Sequence, residues 1–293
     1  MTSTTWRSLL ASIAIAAQCG VGPPAQAGDA GAPALLAEYA QRKAALARSP
    51  FKRPLLLESS AAPDRPHGDV FAVLDQPFPQ VAAVLSNAAR WCDVFILQTN
   101  VKRCAASDDA SGRWLRVAVV RRFDMPVTDA YELAFRFSLR TNDAHQLSVQ
   151  LAADSGPLGT RDYRLVLEAV PLDAGRSFIH MSYAYANGLA ARLATDAYLA
   201  SAGSSKVGFT VTGQDASGRP SYVGGVQGVA ERNTMRYFIA IEALLQSPPS
   251  PAEDRLEARL RGFHAAIEQY PDQLHEMSSQ DYLAMKRRET QAR

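Results

Sequence analysis

The 293-residue chain is poor in cysteine, in blocks of like charge and in long apolar runs. Three cysteines are too few for a disulfide scaffold. No block of like charge exceeds three residues, and 31 basic residues stand against 29 acidic ones, a net of +2. An electrostatically driven nucleic-acid binder is therefore disfavoured. Past the first 27 residues no stretch approaches the ~18 apolar residues that would mark a membrane span. Catalytic signatures are missing as well. There is no G-x-S-x-G elbow and no Walker sequence. The five histidines, at 67, 145, 180, 264 and 275, show neither H-x-H nor H-E-x-x-H spacing, so no metal site is expected and no cofactor is implied. What remains, 47% hydrophobic and 20% charged residues, lies near the globular average. Collagen, coiled coil alone and full disorder are excluded, and one sizeable domain with appendages fits.

The N-terminus reads as a signal peptide over residues 1–27. Trp6-Arg7 give a charged start, Leu9 to Ala17 a small-apolar run, and Ala25-Gln26-Ala27 a small-x-small cleavage site, so the mature chain would begin at Gly28. The apolar run is too short for a membrane anchor, and Gly20, Gly22, Pro23 and Pro24 end it. Gln18 before Cys19 speaks against lipoprotein processing. Cleavage removes Arg7 and Cys19, leaving 30 basic and 29 acidic residues and an even cysteine pair. In an oxidising compartment Cys92 and Cys104 are expected to bridge; two reduced, buried thiols are the alternative.

Residues 33–48 have helical spacing of Leu35, Leu36, Tyr39 and Leu46. RPLLLESS and GDVFAVLD read as two strands joined by a Pro- and Gly-containing turn, and after Asp75 one helix is expected to run to about Trp91. Seven extended segments follow: TNVKRC, RWLRVAVVRRF, YELAFRFSLRT, HQLSVQLAA, YRLVLEAVPL, RSFIHMSYAYA and KVGFTVTG. Within YELAFRFSLRT, Tyr131, Leu133, Phe135, Phe137 and Leu139 share one face, as in an antiparallel sheet with one packed side. The pentapeptide DASGR, at 109–113 and 215–219, reads twice as a turn. A short helix is expected over 187–201 and a long one from about Val226 to Gln246, with Tyr237, Phe238, Ile241 and Leu245 on one stripe and Glu231, Arg232, Arg236 and Glu242 opposite. Gly224, Gly225 and Gly228 ahead of that helix fit tight backbone packing better than phosphate binding. Beyond SPPSP, Leu256, Leu260, Phe263, Ile267, Tyr270, Leu274 and Met277 form a heptad seam broken by Pro271, which fits helices folding back better than dimerisation. A last helix is expected from Ser278.

Carboxylates are scattered over turns and strands. Glu168 shares a side with Arg164 and reads as one half of a surface pair, and His180, in mid-strand, as a hydrogen-bonded or solvent-facing group. The aromatic set Tyr131, Phe135, Phe137, Tyr183, Tyr185 and Phe209 lines either a packed core or a hollow one.

Strand pair, helix, long antiparallel sheet and one long C-terminal helix together resemble the helix-grip fold of the START-like (SRPBCC) superfamily. The carrying segments are GDVFAVLDQPFPQVAAVL, the strands from 113 to 213 and VAERNTMRYFIAIEALL, about two-thirds of the chain. AARWCDVFILQTNVKRC also resembles exported, uncharacterised proteobacterial proteins of that type. The resemblance implies an α+β fold whose curved sheet wraps the long helix. It divides the chain into leader (1–27), N-terminal helical segment (28–52), START-like domain (53–246) and C-terminal helical extension (247–293). It further implies a periplasmic protein binding or carrying a hydrophobic, lipid-like ligand, with transient membrane contact. Tyr131, Phe135, Phe137, His180, Tyr183, Phe209, Tyr237 and Ile241 are the cavity candidates. A cyclase- or hydrolase-type enzyme acting through His180, Glu168 and Tyr183, and an envelope interaction module using the heptad seam, are the other functional readings. A half-barrel lipid carrier is the architectural alternative.

Overall fold

The computed structural model describes residues 31–60, 62, 64–188, 193, 197, 206–247 and 252–291. The leader and most of the helix expected over 187–201 lie outside the described residues. The chain opens with helix α1 (Ala32–Ala47), strands β1 (Leu55–Ser60) and β2 (His67–Leu74), and helices α2 (Phe78–Leu85) and α3 (Ala88–Phe95). Six strands follow, β3 (Val101–Asp109), β4 (Gly112–Val119), β5 (Tyr131–Asn142), β6 (Leu147–Ser155), β7 (Thr160–Pro171) and β8 (Ser177–Asn187). A small hairpin of β9 (Val211–Gln214) and β10 (Pro220–Tyr222) leads into α4 (Gly225–Leu245), and α5 (Ala252–Ile267), α6 (Pro271–Leu274) and α7 (Ser279–Gln291) end the chain.

Strands β1 to β8 make one antiparallel sheet in the order β1-β2-β8-β7-β6-β5-β4-β3. From β3 to β8 each strand pairs with its neighbour in sequence, and β8 then closes onto β2. Register shifts in β3, β5 and β7 mark irregularities of the kind that bend a sheet. The inner face carries Leu133, Phe135, Phe137, Leu165, Leu167, Met181 and Tyr183, and α4 lies across it against β1, β2 and β8. This is the expected α+β helix-grip arrangement. Contact is close: a Cβ on Gly68 of β2 would stand 2.5 Å from Thr234 Oγ1, so a side chain there would push helix and strand apart. Gly228 likewise lies against Val223 O and Gly208 N, the tight backbone packing expected of the glycines that precede the helix.

Several expectations need correction. The single helix over 77–91 is two helices, because Asn87 takes an extended conformation and its side chain accepts a hydrogen bond from Ala89 N at 2.9 Å, capping α3. KVGFTVTG does not join the main sheet. Its central amides donate instead to Glu231 on α4, and only Val211–Gln214 becomes strand, in the separate hairpin. The supposed polar arc of the long helix is not wet, since Glu231, Arg232 and Glu242 are all buried. Glu231 accepts from Ser59 Oγ and Thr210 Oγ1, each at 2.6 Å, and Glu242 pairs with Arg53 at 2.6 Å. Glu168 is buried rather than at the surface.

Both DASGR copies are turns, with Ser111 N donating to Asp109 Oδ1 at 2.7 Å and Ser217 N to Asp215 Oδ1 at 2.8 Å. Cys92 on α3 and Cys104 on β3 form a disulfide, their Cα atoms 5.2 Å apart. The seam residues Leu260, Phe263, Ile267 and Leu274 are buried in the same core as the sheet, so they pack within the chain. Helix α1 covers the outer face, where Leu35 and Leu46 pack on Phe71, Val170 and Phe178. No helix among the described residues is long and apolar enough to cross a membrane.

Candidate functional site

Between the sheet and the N-terminal half of α4 the core opens into a cavity of about 1130 Å³. Its sheet wall comes from Val117 and Val119 of β4, Leu133 and Phe135 of β5, Tyr163 of β7, and Tyr183 and Tyr185 of β8. These residues reach one space because alternate residues of a strand share a face. The helix wall is Val229, Arg232, Asn233, Arg236 and Tyr237, a stripe at intervals of three and four residues. The end of α3 and the segment after it add Phe95, Gln98 and Asn100, and Lys206 and Glu276 complete a polar end. Phe238, Ile241 and Leu245, on the opposite face of α4, pack solidly, and the helix residues that line the hollow all lie between positions 229 and 237.

The apolar part of the wall is a connected set of rings. Tyr183 stands 5.1 Å from Tyr237 and 5.8 Å from Tyr185, and Tyr163 stacks on Tyr185 at 5.4 Å. Phe95 bridges Phe135 and Tyr237 at 5.2 and 5.8 Å. Burial pushes the Tyr183 and Tyr237 hydroxyls well above the usual phenol range, and burial followed by Tyr163 raises Tyr185 to about 12, against a smaller opposite pull from Arg232. All three stay protonated at neutral pH and offer O–H donors. Tyr163 already donates to Thr160 Oγ1 at 2.7 Å.

The polar end is held by fixed backbone acceptors. Arg236 pairs with Glu276 at 2.6 Å and donates to Leu274 O at 3.2 Å. Lys206 donates to His275 O at 2.7 Å, and Arg232 Nη1 to Val207 O at 3.2 Å. Burial lowers the Lys206 pKa; Glu276 raises it, and Arg236 and Arg232 lower it further, as expected of cations sharing one region.

Of the eight residues proposed from sequence, Tyr131, Phe135, Tyr183 and Tyr237 line this cavity. Phe137 and Ile241 lie in the packed core beyond it. Phe209 packs against Phe51 in a tilted pair and Tyr270 edge-on, at 5.6 and 5.5 Å, and is not among the residues that line the cavity. His180 is on the opposite face of the sheet, which corrects its assignment to the cavity. Tyr183 is three positions further along the same strand, an odd step, so the two side chains must point to opposite sides. There, beneath α1, His180 Nε2 lies 2.8 Å from Asp69 Oδ1 and its Nδ1 3.8 Å from Glu168 Oε2, with the Phe71 ring parallel at 4.3 Å. His180 and Glu168 thus meet in a packed layer away from the hollow that holds Tyr183. Among the described residues no group of three or more His, Cys, Asp or Glu is placed to hold a metal ion.

The polar wall escaped the sequence reading. Arg232 and Arg236 read as the arc opposite the apolar stripe, and Gln98, Asn100, Lys206 and Glu276 carry no signal. A mixed stripe of Val229, Arg232, Asn233, Arg236 and Tyr237 at core spacing is the pattern that marks them.

No protein-family model and no curated protein matches the chain. Solved structures similar to it include norcoclaurine synthase from Thalictrum flavum, 18% identical over 45% of this chain and 70% of that one, with a TM-score of 0.30. A START superfamily protein from Mycobacterium smegmatis is 12% identical over 42% of this chain and 78% of that one, with a TM-score of 0.31. The Zhui aromatase/cyclase from Streptomyces sp. R1128 is 14% identical over 70% of this chain and 94% of that one, with a TM-score of 0.33.

Proposed function

We propose that this chain is an exported START-like protein that binds or carries a hydrophobic, lipid-like ligand in the cavity between the sheet and α4. The observation that carries the reading is the hollow itself. A space of about 1130 Å³ whose sheet wall is tyrosine, phenylalanine, leucine and valine lies between the sheet and α4. Ligand pockets typically measure about 300–1,000 Å³, so a lipid-sized body fits. Apolar burial at roughly 25 cal/mol per Å² supplies the affinity, and the tyrosine hydroxyls orient the ligand. Tyr131, Phe123 and Leu158 stand partly exposed among the lining residues, an apolar rim suited to transient contact with a membrane surface. The leader pattern and the Cys92–Cys104 bridge support a periplasmic location.

The test is to express the full chain with its leader, purify the mature protein and extract it with organic solvent for mass spectrometry. A stoichiometric apolar molecule is expected, together with an N-terminus at Gly28. Val119→Trp, which narrows the cavity from β4, should reduce co-purification while the protein stays folded. Absence of any extractable molecule from the native chain would remove the ligand-carrying role.

A further inference from the structure

The rings that wall the cavity carry hydrogen-bonding groups that the protein itself does not use. Tyr163 spends its hydroxyl internally, on Thr160 Oγ1 at 2.7 Å. The hydroxyls of Tyr183, Tyr185 and Tyr237 meet no donor or acceptor among the described residues, although Tyr183 and Tyr185 are only 6 and 8% exposed. They are not sealed in the core either. Glu168 Oε1, closed in on the other face of the sheet, is a polar atom with neither a partner nor an opening, whereas these three hydroxyls face the hollow that their side chains line. Tyr183 and Tyr185 stand two positions apart on β8 and project from one face of the sheet, and Tyr237 comes from α4, its ring 5.1 Å from that of Tyr183. Burial keeps all three protonated at neutral pH, so each is a donor. A ligand of hydrocarbon alone would displace the water that can hydrate these hydroxyls and return nothing, at the full desolvation cost of each. A ligand with oxygen acceptors set in an apolar body restores the hydrogen bonds as it displaces that water.

Resting on the ligand-carrying reading, we infer that the ligand carries carbonyl oxygen within its apolar body, received by the hydroxyls of Tyr183, Tyr185 and Tyr237, and is not a bare hydrocarbon chain. The donors come from both walls, so the carbonyl is held across the gap between sheet and helix. The rings of Phe95, Phe135 and Tyr163, which line the same space, bury the rest of the body.

The matched probes are 9-fluorenone and fluorene, one tricyclic body with and without a carbonyl oxygen. Equilibrium dialysis against the delipidated protein at neutral pH gives both affinities. Combining Tyr183→Phe, Tyr185→Phe and Tyr237→Phe should weaken fluorenone binding about two- to tenfold, the scale of one neutral hydrogen bond, and leave fluorene unchanged or tighter. The urea midpoint of this variant should equal or exceed the native one, because hydroxyls without a protein partner add nothing to folding. Whether methyl oleate or decylubiquinone displaces fluorenone the better assigns the carbonyl to an ester lipid or to a quinone. A lowered midpoint would mean that the hydroxyls serve the fold, and the same change in affinity for both probes, or none for either, would mean that they do not meet a carbonyl. Each of these overturns the inference while the cavity reading stands. Binding of neither probe by the native protein removes that reading, and this inference with it.

Discussion

Raising the pH from 6.5 to 9 should destabilise the protein through one histidine. His180 is sandwiched in the layer beneath α1, its Nε2 on Asp69 of β2 at 2.8 Å and its Nδ1 facing Glu168 of β7 at 3.8 Å. His67 lies 3.3 Å from the other oxygen of Asp69, and Arg42 of α1 covers the Phe71 ring that stacks on His180. Burial opposes a charge on His180, but hydrogen bonding to Asp69 and Glu168 and their attraction outweigh it, lifting the pKa from 6.5 to about 9. A folded-state pKa above the unfolded one stabilises fully below pH 6.5 and loses that contribution as the pH rises through 9. At 1.36 kcal/mol per unit the shift corresponds to about 3 kcal/mol, an upper figure for a group coupled to two carboxyls. Urea unfolding at pH 6, 7.5 and 9.5 measures it. The native protein should lose roughly 2–3 kcal/mol across this range, and His180→Gln, which keeps a donor for Asp69, should be nearly flat in the same window. His67→Gln is the control and should retain the slope. Equal pH slopes for the native protein and His180→Gln would refute a buried imidazolium at this position.

Cys92→Ser opens a bridge with a sequence separation of 12, which the chain-entropy relation values at about 3 kcal/mol; urea midpoints of the oxidised, dithiothreitol-reduced and mutant proteins should show that loss, with Cys104 newly reactive to thiol reagents. Reactivity of both cysteines in the native protein would contradict the bridge. Glu231→Gln sets an amide donor against the Thr210 amide, the Thr210 hydroxyl and the Ser59 hydroxyl, which all donate to Glu231, and should cost about 1–3 kcal/mol in the same assay. Lys286, fully buried, donates to Gln98 O at 2.6 Å and Val101 O at 2.8 Å and pairs with Glu289 at 2.9 Å. Lys286→Met should cost roughly 3 kcal/mol by stranding those acceptors, and hydrogen exchange should rise first in the 98–101 segment beside the cavity.

What the sequence made legible follows from which interactions are local. Strand alternation placed Leu133, Phe135 and Phe137 on the inner face, because a side chain's direction along a strand is set by its own backbone. The same rule, applied to the step from His180 to Tyr183, separates those two residues without a structure, so their joint assignment to one cavity was avoidable. The charged residues of the long helix are different in kind. Arg53 meets Glu242 across 189 positions and Ser59 meets Glu231 across 172, so a helix that looks half wet on a wheel is enclosed by partners from the chain's other end. The hollow is harder still, since it is a space bounded by residues such as Val119, Tyr183 and Tyr237 that no residue type announces. Its trace lies on the helix. The face of α4 that carries Arg232, Asn233 and Arg236, with Val229 and Tyr237 beside them, lines the hollow, while Phe238, Ile241 and Leu245 on the opposite face lie in the solid core. A polar face is compatible with a hollow because its groups keep partners there, Arg232 on Val207 O and Arg236 on Leu274 O and Glu276, whereas the same groups pressed on a dry, solid core would stand unsolvated.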